Sequence, residues 1–195
     1  MIQEKRAAAT REHLLDAAFT LLVDHPEQPF SHEAVAKTAG VGARTVYRYF
    51  PAQADLLEAC WLKLRERSRT VFPVEEAEIV DKLGEMYRAF DENERLVRAV
   101  IASEAGARVR ARGAEESRAS FDRSLREATA HLADRERRQV RAVFQGLHSA
   151  LFWSMLQDRG GLAKDEAIEA ACWAARALLK ALHKEGKKER EGKHK

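Results

Sequence analysis

Apolar side chains recur along this chain every three or four residues, and they do not alternate with polar ones. Such spacing places apolar side chains on one face of a helix, whereas a half-buried strand would need alternation. The clearest stretch near the N-terminus has Leu14, Leu15, Ala18, Phe19 and Leu22 on one face. The chain has only four prolines and is rich in Ala, Leu, Glu and Arg, so we predict an all-α fold.

Helix start and stop signals predict about nine helices. The first ends before the prolines that follow His25, and the second begins at Ser31 and ends near Gly40. The stretch 106–113, with a glycine at each end and three arginines between them, is expected to be a loop. The remaining helices are expected at about 42–49, 52–70, 76–90, 93–104, 114–132, 134–158 and 164–184.

The second and third helices are short and joined by a tight turn. Two such helices cross steeply only where the residues in contact are small. Ala36 supplies the small contact, Gly40 the turn and Val46 the apolar side chain of the third helix. The spacing therefore predicts a helix-turn-helix, whose second helix has the size to enter a DNA major groove.

Net charge does not by itself indicate a nucleic-acid partner. The chain has 34 Lys and Arg against 31 Asp and Glu, a formal charge of +3. Residues 184–195 carry this whole excess, and residues 1–50 are balanced at six basic and six acidic residues. We expect 185–195 to be a charged, disordered tail. DNA binding would depend on the local placement of cations rather than on a bulk positive field.

Several classes of protein are unsupported by the sequence. No stretch approaches the roughly 20 apolar residues of a membrane span, and no signal peptide is recognisable, so the expected compartment is the cytoplasm. Cys60 and Cys172 have no metal or redox spacing, and the seven histidines form no ligand set. Without a nucleophile pair or a phosphate loop, we expect no catalytic activity, no metal and no cofactor.

The strongest motif lies across the third helix and the start of the fourth. Gly40-Val41, then Thr45-Val46-Tyr47-Arg48-Tyr49-Phe50-Pro51, then Asp55-Leu56-Leu57 resembles the signature of TetR-family transcriptional regulators. The resemblance covers about residues 8–65. It implies a helix-turn-helix DNA-binding domain over 1–50 and a larger helical ligand-binding and dimerisation domain over 51–184, connected by the helix 52–70.

The resemblance also implies which residues contact a double-stranded DNA operator. Base contacts fall at Ala43, Arg44 and Arg48, and Arg44 is the best candidate because a guanidinium can bridge guanine O6 and N7. Phosphate contacts fall at Ser31, Thr45, Tyr47, Tyr49 and Gln53. Lys5, Arg6 and Arg11 could add an arm along the DNA backbone.

This sequence departs from the family pattern at two of these places. Gly42 stands where a serine usually caps the third helix, and Gln53 stands where a lysine usually begins the fourth. The first change removes a side-chain cap, and the second removes a positive charge near phosphate. Outside the motif, Tyr47 or Tyr49 would be read as core aromatic residues and Arg48 as a solvated one.

The last two predicted helices are apolar on two sides. A helix of that kind must be buried on both sides, and a second copy of the chain is the simplest cover. The alternative is a monomer with an unusually apolar surface. The residues expected in a homodimeric four-helix interface are Leu151, Met155, Ala171, Ala175, Leu178 and Leu182.

The resemblance implies a pocket for a small effector among the intervening helices. A mainly apolar ligand would suit the available side chains. Each of them is as readily explained as core, and a histidine on an apolar stretch is more often a satisfied core residue. The expected lining is Trp61, Met86, Phe90, Val97, Ile101, Phe121, Phe144 and His148.

Together these features predict a homodimeric regulator, released as a repressor from a pseudo-palindromic operator when a ligand shifts the fourth helix. The alternative is a ligand-binding helical dimer or interaction module without strong DNA binding. That alternative would leave the exposed Tyr47 and Tyr49 without a role.

Overall fold

The computed structural model describes residues 2–25 and 28–192, and all regular structure in these ranges is helical. The prediction of an all-α fold is therefore confirmed. A short 3-10 helix, Glu76–Glu78, precedes α5. The eleven α-helices of the described ranges are α1 Ile2–Asp24, α2 His32–Ala39, α3 Ala43–Tyr49, α4 Gln53–Arg67, α5 Ile79–Glu92, α6 Glu94–Ala102, α7 Glu104–Ala111, α8 Ala114–Ser124, α9 Asp134–Leu147, α10 Ala150–Asp158 and α11 Lys164–Gly192.

The helices fall into two compact units. The N-terminal unit combines Met1–Arg67 with Asn93–Gly113, and the C-terminal unit combines Ser68–Glu92 with Ala114–Lys195. The sequence-based boundary at residue 50 differs from this division. Helices α4, α6 and α7 belong with the helix-turn-helix, because α4 packs on α1 and α7 while α6 packs on α1.

The N-terminal unit has a core made of the apolar faces of α1 and α4. All five predicted inward residues of α1 are buried. On α4, apolar residues that recur at helical spacing are buried as well: Leu56, Leu57, Cys60, Trp61 and Leu64. Helical periodicity alone therefore located these two core faces correctly.

The C-terminal unit is organised around α5, which packs against α10 and α11. Tyr87 of α5 is completely buried, and its hydroxyl donates to the Leu147 carbonyl oxygen at 2.8 Å. Trp153 of α10 is also fully buried, and its indole donates to Asp91 Oδ1 at 2.9 Å. Both large aromatic residues thus have their polar atom satisfied inside the unit.

Residues 104–111 form helix α7, so the loop predicted for 106–113 is wrong. The glycines that suggested a loop are instead sites of close packing. A side chain at Gly106 would collide with the Val100 carbonyl, and one at Gly113 would collide with the Trp61 indole. Ser103 caps α7 by accepting a hydrogen bond from the Gly106 amide at 3.0 Å.

The predicted helix 134–158 is divided into α9 and α10. His148 ends α9 with ψ of 47°, and Ser149 begins α10 by accepting a hydrogen bond from the Phe152 amide at 3.1 Å. The Leu147 carbonyl left free at the break is the one that binds Tyr87. This division and α7 account for the two helices beyond the predicted nine.

Two helix ends also differ from prediction. Helix α8 ends at Ser124 rather than near residue 132, and turns continue the chain. Helix α11 runs to Gly192, so most of the predicted disordered tail is helical. In this last part of α11, Gly186 packs closely against the His131 ring and the Lys187 and Glu191 side chains pair at 4.0 Å. The last three residues of that predicted tail, 193–195, lie outside the described residues.

Candidate nucleic-acid interface

The turn between α2 and α3 is built from the residues that the sequence singled out. Ser31 caps α2, because its hydroxyl accepts a hydrogen bond from the Ala34 amide at 3.1 Å. Gly40 follows with φ of 68°, the left-handed conformation that glycine adopts without steric cost. Ala36 and Val46 are buried where the two helices pack, and Gly42 provides no side-chain cap for α3.

A single histidine fixes α3 to the start of α2. The His32 ring is buried, and its Nε2 donates to the Phe50 carbonyl oxygen at 2.7 Å. The same ring stacks on Tyr47, with ring centroids 4.2 Å apart and planes within 5° of parallel. His13 of α1 connects that helix to the end of α2, because its Nε2 donates to the Ala39 carbonyl oxygen at 2.9 Å. Spacing alone gave no signal for His32, because its partners lie 15 and 18 residues along the chain.

Helix α3 presents a polar face to solvent. Arg44, Tyr47 and Arg48 are exposed, and Tyr47 has 44% of its surface accessible. Ala43, Thr45 and Tyr49 are half-buried, with the Arg48 guanidinium 5.1 Å from the centre of the Tyr49 ring. The structure therefore brings the predicted contact residues of α3 together on one accessible helix.

The Tyr47 hydroxyl already has a partner. It donates to Glu33 Oε1 at 2.9 Å, which places a carboxylate beside the exposed face of α3. Hydrogen bonds from its own backbone amide and then from Tyr47 lower the pKa of Glu33 below its usual 4.5, so it is ionised near neutral pH. The same bond raises the pKa of Tyr47. A phosphate contact by this hydroxyl would have to replace the bond to Glu33.

The Gln53 side chain is half-buried and hydrogen-bonded at both ends of its amide. Its Nε2 donates to the Phe30 carbonyl at 2.7 Å, and its Oε1 accepts from Arg108 Nη2 at 2.8 Å. A phosphate contact by this amide would have to replace the bond to Phe30. Arg108, its other partner, lies in α7, where the sequence predicted a loop.

The basic residues near the N-terminus are part of α1 rather than a separate arm. Lys5 and Arg6 are exposed on that helix. Arg11 lies with its guanidinium 5.2 Å from the centre of the Phe50 ring, at the end of α3. Arg11 therefore places a positive charge close to the end of α3.

The predicted ligand-lining residues are divided between the units. Trp61, Val97 and Ile101 lie in the N-terminal unit, where Trp61 packs on Gly113. The C-terminal unit holds the other five, and all of these are buried. Within the C-terminal unit these side chains pack as core. The five are Met86, Phe90, Phe121, Phe144 and His148.

His148 has both ring nitrogens facing backbone carbonyls. Nε2 lies 2.9 Å from the Ile79 oxygen and Nδ1 lies 3.0 Å from the Phe144 oxygen. Burial lowers the pKa of His148 below its usual 6.5, and the edge of its ring meets Phe121 with centroids 4.8 Å apart. A neutral imidazole donates through one of these nitrogens only, and the side chain lies buried in the core of the C-terminal unit.

The predicted dimer residues differ in exposure. Leu151 and Met155 of α10 are exposed, as is Leu178 of α11. Ala171, Ala175 and Leu182 are buried on the same side of α11 as Leu178, and α11 packs on α5. Other accessible apolar residues of α11 include Ala170, Trp173, Ala174, Ala177 and Ala181, with Trp173 67% exposed.

Within residues 2–25 and 28–192, no group of three or more His, Cys, Asp or Glu side chains is arranged to hold a metal ion. Cys60 and Cys172 are free and buried. None of the helices in the described part of the chain has the length and apolar character to cross a membrane.

A capped and tightly packed pair of short helices, the second with an exposed polar face, defines a helix-turn-helix protein. Residues 14–60 match the model of a family described as bacterial regulatory proteins, tetR family. This stretch of the chain is therefore similar to the DNA-binding proteins of that family, in agreement with the resemblance of its motif.

Two individual proteins are similar to this chain. The HTH-type transcriptional repressor LfrR of Mycolicibacterium smegmatis (strain ATCC 700084 / mc(2)155) is 48% identical over 50 residues, 26% of this chain and 25% of LfrR. The chain thus matches about a quarter of the length of that curated relative. A TetR transcriptional regulator from Rhodococcus sp. RHA1 aligns over 91% of this chain and 97% of its own, with 21% identity and a TM-score of 0.46.

Proposed function

We propose that this protein is a sequence-specific DNA-binding transcriptional regulator, a repressor that leaves a pseudo-palindromic operator when a small effector binds. The observation that carries the proposal is the exposed face of α3 on a helix-turn-helix held rigid by His32. A rigid helix that presents Arg44, Tyr47 and Arg48 to solvent suits insertion into a major groove. The similarity to LfrR, a named transcriptional repressor, supports the direction of regulation.

The contacts divide by chemistry. Arg44 and Arg48 have exposed guanidinium groups that can reach base edges, and Ala43 could at most contact a thymine methyl. Hydroxyl groups suit phosphate oxygens, which fix the position of the protein without reading sequence. The residues proposed for that role are Ser31, Thr45, Tyr47 and Tyr49.

A protein of this kind reads an operator as a dimer. Two copies of α3 related by a two-fold axis would meet successive major grooves about 34 Å apart. The exposed apolar residues of α10 and α11, foremost Leu151, Met155 and Trp173, supply a surface that a second copy can cover. We propose that this surface forms the dimer interface.

The effector is proposed to act through the C-terminal unit, in the cytoplasm where the DNA lies. Met86, Phe90 and Phe144 already pack as core there, so a mainly apolar ligand would enter beside or displace them. Binding would change the separation of the two α3 helices in the dimer and thereby weaken operator binding. By linkage, DNA would weaken effector binding by the same factor.

The decisive experiment is DNA binding by the purified protein to the region upstream of its own gene. A gel shift at increasing salt should give a discrete complex that weakens as salt rises, with a palindrome at its centre. A scrambled duplex of equal length is the control. If both duplexes bind equally, or neither binds, the protein is a helical ligand-binding or interaction module instead.

Arg44→Ala tests sequence reading by α3. We expect the variant to lose about 1–3 kcal/mol of discrimination at one base pair of each half-site, because the guanidinium is no longer there to bridge a guanine. Fluorescence anisotropy with single-base operator variants measures this. Arg123→Ala, an exposed arginine on α8, should leave every operator affinity unchanged. Uniform weakening on all duplexes would place Arg44 on a phosphate.

A further inference from the structure

The C-terminal unit contains an open cleft between the end of α8, the turns that follow it and α9. Its volume is about 520 Å³, within the range of sites for small organic ligands. Of the eight residues expected to line an effector pocket, only Phe121 borders it. Six charged side chains line it, and we call it the arginine cleft after four of them: Arg126, Arg137, Arg138 and Arg141, with Asp122 and Asp134.

The charges of the arginine cleft do not balance. Asp122 pairs with Arg141, whose Nη1 lies 3.0 and 2.9 Å from its two carboxylate oxygens. Asp134 pairs with Arg137. Each aspartate is thus engaged by one arginine, and the lining keeps an excess of two positive charges. Arg126 and Arg138, both exposed, carry that excess.

Arg141 has a buried donor in need of an acceptor. Its side chain is only 20% exposed, and its Nε is buried with no hydrogen-bond partner among the described residues. A guanidinium cannot give up its charge, and buried donors in folded proteins are nearly always satisfied. The exposed fifth of the Arg141 side chain is the part that an anion in the cleft could contact.

Phe121, Leu125 and Thr129 also border the cleft but are almost completely buried, and the Thr129 hydroxyl donates to the Leu125 carbonyl at 2.7 Å. The accessible side chains of the cleft therefore include more guanidinium groups than carboxylates. Guanidinium groups bind carboxylate or phosphate through paired, charge-assisted hydrogen bonds.

We propose that the arginine cleft binds a small organic anion, with a carboxylate or phosphate held by Arg126, Arg138 and Arg141. As an effector, this anion would take the place of the mainly apolar ligand proposed above. The role of this anion as effector rests on the proposed function. Anion binding by the cleft does not depend on that function.

Calorimetry on the full chain without DNA tests the binding. The probes are benzoate, phenyl phosphate and the neutral isostere benzyl alcohol, in buffer of physiological ionic strength. We expect saturable binding of one anion per chain and none of the alcohol. The tighter of the two anions shows whether carboxylate or phosphate is preferred.

Matched variants locate the site. Arg138→Gln and Arg126→Gln should each weaken anion binding by about tenfold, because each removes a charge-assisted contact. Both side chains are exposed, so circular dichroism should show an intact fold. Arg135→Gln, also exposed on α9 but outside the cleft, should bind like the parent protein. Equal affinity in all three variants, equal binding of the alcohol, or no saturation below about 10 mM anion overturns the proposal.

A separate DNA assay addresses the effector role. Release of operator DNA by the bound anion from the parent protein, but not from Arg138→Gln, supports that role. Anion binding without release overturns the role and leaves the site standing. Absence of any DNA binding contradicts the proposed regulator without affecting the calorimetric result.

Discussion

Glu33 sets an acidic group at the edge of the surface proposed to meet DNA. Its carboxylate accepts the Tyr47 hydroxyl at 2.9 Å, and that ring is held from the other side by stacking on His32. The carboxylate is fully accessible to solvent and ionised near neutral pH. In a complex, this negative charge would lie close to phosphates, and it would hold a hydroxyl that could otherwise contact one.

Glu33→Gln is expected to strengthen DNA binding. Removal of the charge relieves repulsion from phosphate, and an amide holds Tyr47 less firmly than a carboxylate does. We expect about a threefold to tenfold gain in affinity for operator and scrambled duplex alike, larger at low salt. Anisotropy titrations at two salt concentrations measure it. Glu115→Gln, the same change in the first turn of α8, is the control, and equal affinities of the two variants would contradict the role of Glu33.

At the scale of single residues, the sequence motif predicted much of the candidate DNA-binding site. Gly40, Val46 and the exposed positions of α3 follow from local spacing, because a helix-turn-helix is defined by residues close in sequence. Gln53 and His32 could not be placed that way. Their roles are decided by partners elsewhere in the fold: Phe30 and Arg108 for the first, Phe50 and Tyr47 for the second.

Among the elements, α1 and α4 are joined by a small ion cluster. Lys63 of α4 lies 2.6 Å from Glu12 and 2.8 Å from Asp16, and Arg67 reaches Asp16 at 2.7 Å. The hydrogen bond from Lys63 is the largest of the effects that lower the pKa of Asp16 below its usual 3.8. A carboxyl with a lowered pKa in the folded state contributes stability above its unfolded pKa.

Asp16→Asn should lower the free energy of unfolding by about 0.5–1 kcal/mol near neutral pH, a modest value because Asp16 is more than half exposed. The difference from the parent protein should vanish as pH falls through the folded-state pKa, below 3.8, where Asp16 is protonated in both states. Urea unfolding at neutral and at acidic pH measures this. Glu58→Gln, exposed on α4, should show no such pH-dependent difference.

Helix boundaries were predictable where caps and apolar faces agree. Ser31 and Gly40 bound α2 as expected, and the buried faces of α1, α4 and α5 match their periodicity. Helix α7 was missed because Gly106 and Gly113 look like helix breakers, although they permit close approach to Val100 and Trp61. The break between α9 and α10 depends on a carbonyl bound by Tyr87, 60 residues away, so no local pattern reveals it.

For the whole molecule, the exposed apolar face of α11 is the feature that a single copy leaves uncovered. Ala170 and Ala177 lie one turn before and one turn after Trp173, and such small residues allow two helices to approach closely. The sequence predicted that the last two helices are apolar on two sides. Which side faces the protomer could not be known, because that depends on the packing of α5.

Trp173→Glu tests the proposed dimer. A charge at the centre of an apolar interface cannot be buried without a partner, so the variant should shift to a monomer. Light scattering coupled to size exclusion measures the mass, and circular dichroism checks the fold. Leu62→Glu, at a similarly exposed apolar residue of α4, should keep the parent mass. A parent protein that is itself monomeric would contradict the proposal.

The imidazole of His32 has a consequence for how a signal can reach DNA. It joins the first turn of α2, the middle of α3 and the residue that ends α3, so these three points cannot move independently. Local melting or rotation of α3 alone would break a hydrogen bond and a ring stack together. A conformational change that alters DNA binding must therefore move α2 and α3 together as one rigid body. In the proposed dimer, such a change would alter the distance between the two helix-turn-helix motifs and leave the structure of each motif unchanged.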